Sequence, residues 1–183
     1  IGGKWKTGPR DAPFEAARAA LGELPIVAED LGLITDEVHW LRDRLGFPGM
    51  RVLQFGFEEE HDPYHRPEAY PEHSVAYSGT HDNDTVMGWY QQRKRDGTDQ
   101  ILQRILTGDP NQVPVELVRS VLNSPADTAI LPMQDVLVLG SEARVNTPGE
   151  PAGNWAWRCS ADTLNGELAE RLQSWTAESG RSH

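Results

Sequence analysis

The chain has 183 residues, with 17 lysines and arginines against 28 aspartates and glutamates, for a net charge of −11. That balance excludes the clustered positive surface a nucleic-acid partner needs, and like-charge repulsion opposes docking on anionic membranes. No run approaches the roughly 18 apolar residues of a spanning helix, so the segment is not expected to cross a membrane. Cys159 is the single cysteine, which rules out a disulfide within the chain and fits a reducing, cytoplasmic setting. Ile1 stands first, and Lys4, Lys6, Arg10 and Asp11 interrupt any signal-like apolar stretch, so we expect the sequence to begin inside a longer protein.

Strand and helix patterns alternate along the chain. Pro13 suits the first turn of a helix that runs to Gly22, with Phe14, Ala17 and Leu21 on one face. Residues 24–28 form a short apolar run, β-branched in the middle, that reads as a buried strand ending in Glu29 and Asp30. Thr35 or Asp36 can cap the next helix, whose stripe is Val38, Leu41 and Leu45 and whose stop is Gly46 followed by Pro48. A second strand is expected over 51–57, and the charged run Glu58 to Asp62 reads as a solvated loop. A third strand covers 74–78, with Gly79-Thr80-His81-Asp82-Asn83-Asp84 at its carboxyl end. Helices are expected at roughly 84–96, 99–107 and 113–123, a fourth strand at 128–131 and a last helix at about 164–175. Four strands each followed by helical or loop material imply parallel βα units, either in a doubly wound sheet or in half of a (β/α)₈ barrel. The glycine-rich nucleotide loops are absent, which weakens the doubly wound, nucleotide-binding version.

Glu29 and Asp82 stand out because each lies just past the carboxyl end of an apolar strand, the edge where α/β folds gather ligands and catalytic groups. A buried carboxylate there would have a raised pKa, as a general acid requires. The competing reading of Glu29 is a salt-bridged loop residue. For His81-Asp82-Asn83-Asp84 the alternatives are an Asx-rich turn with Asp84 as helix cap, a metal site and sugar recognition. The spacing matches neither zinc patterns nor a calcium loop. Among the six tryptophans most are expected in the core, while Trp5 and Trp155, each close after a glycine, are the least core-like and could line a saccharide groove. Cys159 carries no nucleophile signature and is expected as a buried thiol.

Several stretches carry a specific resemblance: residues 25–32 with Ala28-Glu29-Asp30-Leu31-Gly32, residues 46–55, Gly79 to Asp84, residues 134–137, Arg144-Val145-Asn146-Thr147-Pro148-Gly149, and Gly153-Asn154-Trp155-Ala156-Trp157-Arg158. In this order they resemble the C-terminal half of the 4-α-glucanotransferases, the amylomaltase or disproportionating-enzyme family of glycoside hydrolase family 77 in the α-amylase clan. The resemblance implies an α/β fold, the C-terminal half of a (β/α)₈ TIM barrel with about four βα units over 1–183. It implies retaining transfer of α-1,4-glucan segments between maltooligosaccharides, with no cofactor. Glu29 then resembles the general acid/base, Asp82 the carboxylate that steadies the oxocarbenium-like transition state, and His81 a sugar-binding histidine of the same subsite. Asn146 and Pro148 fall in a segment that lines the family's site, and Val145 stands where methionine is expected. The family's nucleophile lies in an Arg-apolar-Asp-His motif that is absent from these residues. A missing N-terminal half of the barrel is therefore the expected partner, and the isolated segment is expected to be inactive and poorly stable, with bare strand edges. A glucan hydrolase of the same clan, a non-catalytic glucan-binding module and a metal-dependent hydrolase using His81, Asp82 and Asp84 are the alternatives.

Overall fold

The structure, a computed structural model, describes residues 3–4, 6–58, 64–105, 109 and 112–181. The chain divides into two compact units, Ile1–Met50 and Arg51–His183. Trp5, the charged run after Glu58, and residues 106–107 at the end of the helix expected over 99–107 lie outside the described residues.

In the first unit, proline pre-sets the helical φ and lacks an amide that the first turn would leave unpaired. Pro13 accordingly opens α1, Ala12–Leu21, and Gly22 closes it at φ 81°, its amide donating to the Arg18 carbonyl at 2.9 Å. Phe14 meets Phe47 edge to face at 5.4 Å, whereas Leu21 is exposed. The second helix, α2, spans Asp36–Leu45 and stops at Gly46 in the left-handed region, the conformation that favours glycine after a helix. Its acidic first turn and basic last turn complement the helix dipole.

The expected first strand is reduced to one parallel bridge, Ala28 to Gly49, with the Ala28 amide donating to the Pro48 carbonyl at 2.9 Å. Two features of residues 24–27 explain this. Pro25 has no amide to give a ladder, and the Ile26 amide turns back to the Leu24 carbonyl at 2.8 Å. The expected strand at 51–57 is also shorter: β1 covers Gly49–Val52, and Leu53–Phe57 winds into a 3₁₀ turn. Burial of Leu53, Gln54, Gly56 and Phe57, with Phe55 half-buried between them, has no period of two, and a tight helical turn satisfies it where a strand would not.

The second unit holds the main core. Its sheet runs β1, then β2 at Ser74–Tyr77, then β3 at Thr128–Ile130. β2 and β3 are parallel, with Val75 opposite Thr128 and Tyr77 opposite Ile130. Parallel neighbours need a long crossover, supplied here by α3 at Val86–Asp96, α4 at Gln100–Ile105 and α5 at Val113–Leu122. α5 buries Val113, Leu117, Val118, Val121 and Leu122, the apolar stripe of a helical period. These pack with Leu53, Ala76, Val86, Tyr90, Leu102 and Trp175 in one cluster. A short helix, α6 at Met133–Val136, which the sequence reading did not anticipate, follows β3. The last helix, α7 at Gly166–Glu178, is capped by the Asn165 side chain, which accepts from the Leu168 amide. Beyond it Arg181 donates to the carbonyls of Leu122, Ser124 and Ala126, tying the end of α7 to the end of α5. Cys159 is half-buried rather than buried, because it lies in irregular backbone after Arg158, away from the core.

Candidate active site

Asn83 shapes the segment between β2 and α3. Its carboxamide oxygen accepts from both the amide and the hydroxyl of Thr80, each at 2.8 Å, so the side chain closes the turn back onto a residue three positions earlier, where an Asx turn would bond forward. The turn puts His81 and Asp82 outward, with side chains 57% and 50% exposed. Gly79 permits it by close approach: a Cβ there would stand 3.1 Å from Gln54 Nε2 and 3.3 Å from Asn83 Cβ. Thr85, not Asp84, is the N-cap of α3, its hydroxyl accepting from the Gly88 amide at 3.0 Å.

The Asp82 carboxylate gathers the groups expected around it. Asn146 Nδ2 donates to Oδ1 at 2.5 Å, and His81 Nε2 lies 3.4 Å from Oδ2. Arg144 Nη2 donates to the Asp82 carbonyl at 2.6 Å, while Arg144 Nε holds the Asn146 carbonyl at 2.9 Å. The indole of Trp155 lies 5.3 Å from the His81 ring, tilted by 32°. Pro148 sits exposed in the turn closed by the Glu150 amide on the Thr147 carbonyl at 3.1 Å. A proline there fixes the turn's φ and offers no side-chain donor or acceptor.

Beneath this surface lies a buried brace. Asp135 on α6 accepts from Ser78 Oγ at 2.5 Å and from the Val86 amide at 2.8 Å. One carboxylate thus ties the start of the site loop to its end. Burial pushes the Asp135 carboxyl above the usual carboxylate range, against the opposing pull of those two hydrogen bonds. Asp84 accepts from Ser141 Oγ at 2.6 Å and from the Thr85 amide at 2.8 Å, and its carbonyl accepts from Gln54 Nε2 at 2.7 Å. Segment 133–146 therefore grips the loop through Asp135, Ser141, Arg144 and Asn146. The sequence reading placed Asp135 and Arg144 in matching stretches but assigned them no role, because their partners lie about 50 or more positions away.

With both its oxygens engaged in this way, Asp84 is turned toward the brace, not toward His81. Among the described residues no group of three or more histidines, cysteines, aspartates or glutamates is placed to hold a metal ion.

In the first unit, Glu29 and Asp30 point to different surroundings. Glu29 is exposed, and its Oε1 accepts from the Leu31 amide at 2.8 Å. The burial expected for it is not supplied by this unit, since the strand that would have enclosed it is only a bridge. Asp30 is the buried member, accepting from the Met50 amide at 2.7 Å and pairing with Arg42. Gly49 leaves room for that carboxylate: a Cβ there would stand 2.9 Å from Asp30 Oδ1.

A family profile described as 4-alpha-glucanotransferase, glycoside hydrolase family 77, matches residues 1–164. The 4-alpha-glucanotransferase of Thermus thermophilus is 43% identical over 182 residues, covering 95% of this chain and 36% of that protein. The chloroplastic/amyloplastic 4-alpha-glucanotransferase of Arabidopsis thaliana is 40% identical over 182 residues, covering 98% and 32%. Among solved structures, the amylomaltase from Streptococcus agalactiae in complex with acarbose superposes with a TM-score of 0.90 at 30% identity, over 98% of this chain and 37% of that one. The amylomaltase from Corynebacterium glutamicum, at 20% identity and a TM-score of 0.61, is alike in fold. The chain spans about a third of the length of the curated relatives it matches.

Proposed function

Because this chain belongs to the 4-alpha-glucanotransferase family, glycoside hydrolase family 77, we propose that the full-length protein moves α-1,4-glucan segments between maltooligosaccharides. On this reading 1–183 is the C-terminal half of its (β/α)₈ barrel, and the N-terminal half carries the nucleophile. The amylomaltase solved with acarbose supports an oligosaccharide ligand. The observation that carries the reading is Asp82, an exposed carboxylate at the carboxyl side of β2, oriented by Asn146 and flanked by His81.

The chemistry is a retaining double displacement. Glu29 gives its proton to the glycosidic oxygen as the nucleophile of the missing half attacks the anomeric carbon. The donor's leaving segment departs as a free sugar, and a glycosyl-enzyme remains. Positive charge develops on the sugar ring in each transition state. Asp82 stabilises it through hydrogen bonds to ring hydroxyls that tighten there. Asn146 keeps one Asp82 oxygen fixed, so little reorganisation is needed at that moment. Glu29, now a carboxylate, takes the proton of an acceptor hydroxyl, which attacks the anomeric carbon and releases the nucleophile. The exposed setting of Glu29 leaves it open to both leaving group and acceptor.

Glu29→Gln in the full-length protein tests this. Disproportionation of maltotriose should fall by about 10² to 10⁴, the range of general acid–base catalysis, while maltooligosaccharide binding is retained. Activity within a few fold of the unsubstituted protein would remove Glu29 from the mechanism. The segment expressed alone should transfer no glucan, and turnover by it would refute the division between halves.

A further inference from the structure

Among the described residues Trp155 is one of two tryptophans with exposed side chains, with 58% of its surface free. Its backbone has φ 61°, a conformation L-residues adopt at a cost and bulky ones rarely. The surrounding chain enforces it. The Trp155 amide donates to the Val145 carbonyl at 2.7 Å, and its carbonyl accepts from Arg158 Nη1 at 2.8 Å. Asn154, the residue before it, accepts from the Thr147 amide at 2.9 Å and donates to the Glu150 carbonyl at 2.9 Å. Four contacts thus hold the indole exposed and forgo the stabilisation its burial in the core would bring. The ring is set down beside His81, next to the polar trio His81, Asp82 and Asn146. A flat apolar face bordered by a carboxylate, an imidazole and a carboxamide suits one ligand class in particular. A pyranose ring has a C–H face for the indole and hydroxyls on its rim for the polar groups.

We infer that Trp155 is a stacking platform for a glucosyl unit bound next to the Asp82 subsite, held out by its own strained backbone. The inference rests on the glucan-transfer reading for its ligand class, and goes beyond it by assigning a binding residue.

The test uses the full-length protein carrying Glu29→Gln, so that ligand is not consumed, and titrates maltoheptaose by calorimetry. Trp155→Ala should weaken binding about tenfold, and Trp155→Phe, which keeps an aromatic face, by about threefold or less. Trp155→Gly separates this role from a structural one. Glycine relieves the positive φ, so its melting temperature should equal or exceed that of Trp155→Ala, while its affinity falls as far. Unchanged affinity in Trp155→Ala, or an affinity that follows melting temperature across the three variants, would overturn the platform. If Trp155→Ala loses binding but the unsubstituted protein transfers no glucan, the platform stands and the transfer reading falls. No binding of maltoheptaose by the parent variant would overturn the platform.

Discussion

Replacing Asp135 by alanine removes two of the hydrogen bonds that hold the loop carrying His81 and Asp82, one at each of its ends. Each lost hydrogen bond to the carboxylate is worth about 1.5–3 kcal/mol, and the Val86 amide is left buried without its acceptor. Relief of the buried charge offsets part of this, so the expected net cost is about 2–4 kcal/mol. The loss is local, so hydrogen exchange is the suitable assay. Amides of residues 79–89 should exchange at least about 30-fold faster in the full-length Asp135→Ala protein, and maltotriose disproportionation should fall with them. Asp135→Asn retains an acceptor for the Val86 amide and an amide for Ser78 Oγ, so its exchange should change by only a few fold. It also alters the pH response. Burial holds the folded Asp135 above its ordinary value of 3.8, so its contribution is complete below that value and declines as pH rises through the raised one. Thermal melts should therefore shift in favour of Asp135→Asn as pH rises. Unchanged exchange at 79–89 in Asp135→Ala would refute the brace, whatever happened to global stability.

Two further substitutions probe the supports of Glu29 and Asp82. Arg42→Met removes the partner of Asp30, whose side chain is 1% exposed, and should destabilise by about 3–5 kcal/mol in denaturant titration. Adding Asp30→Asn should recover more than about 1 kcal/mol of that loss, and strict additivity would show that the pair is not coupled. Gly88→Ala gains about 1 kcal/mol of helix propensity in α3. Its Cβ, however, would stand 2.8 Å from the Ser141 backbone amide and 2.9 Å from Asp84 Oδ1, and displacing backbone costs about 1–3 kcal/mol. The net effect should be a lower melting temperature and reduced transfer, and a stabilised, fully active variant would contradict the packing described.

The sequence by itself determined the longer helices and their stops, though not the short α6, because these are written in local terms. Pro13 at a first turn, Gly22 and Gly46 after the last, and the stripe of α5 all act within a few residues. It also placed Asp82 at the end of β2 and, through motifs in a matching order, the family. Strand length was less legible. Residues 24–27 and 53–57 are apolar enough for a sheet, yet Pro25 and burial without a period of two after Val52 direct them to a bridge and a 3₁₀ turn. The resemblance brought His81 and Asn146 to the site, but tertiary structure alone decided how the residues around Asp82 bond to it and what braces them. Asn146 lies 64 positions from Asp82, Arg144 lies 62, and Asp135 reaches Ser78 across 57. Hydrogen bonds fall off within a fraction of an ångström, so their partners are set by how β2, α3 and α6 pack. No periodicity along the chain encodes that meeting.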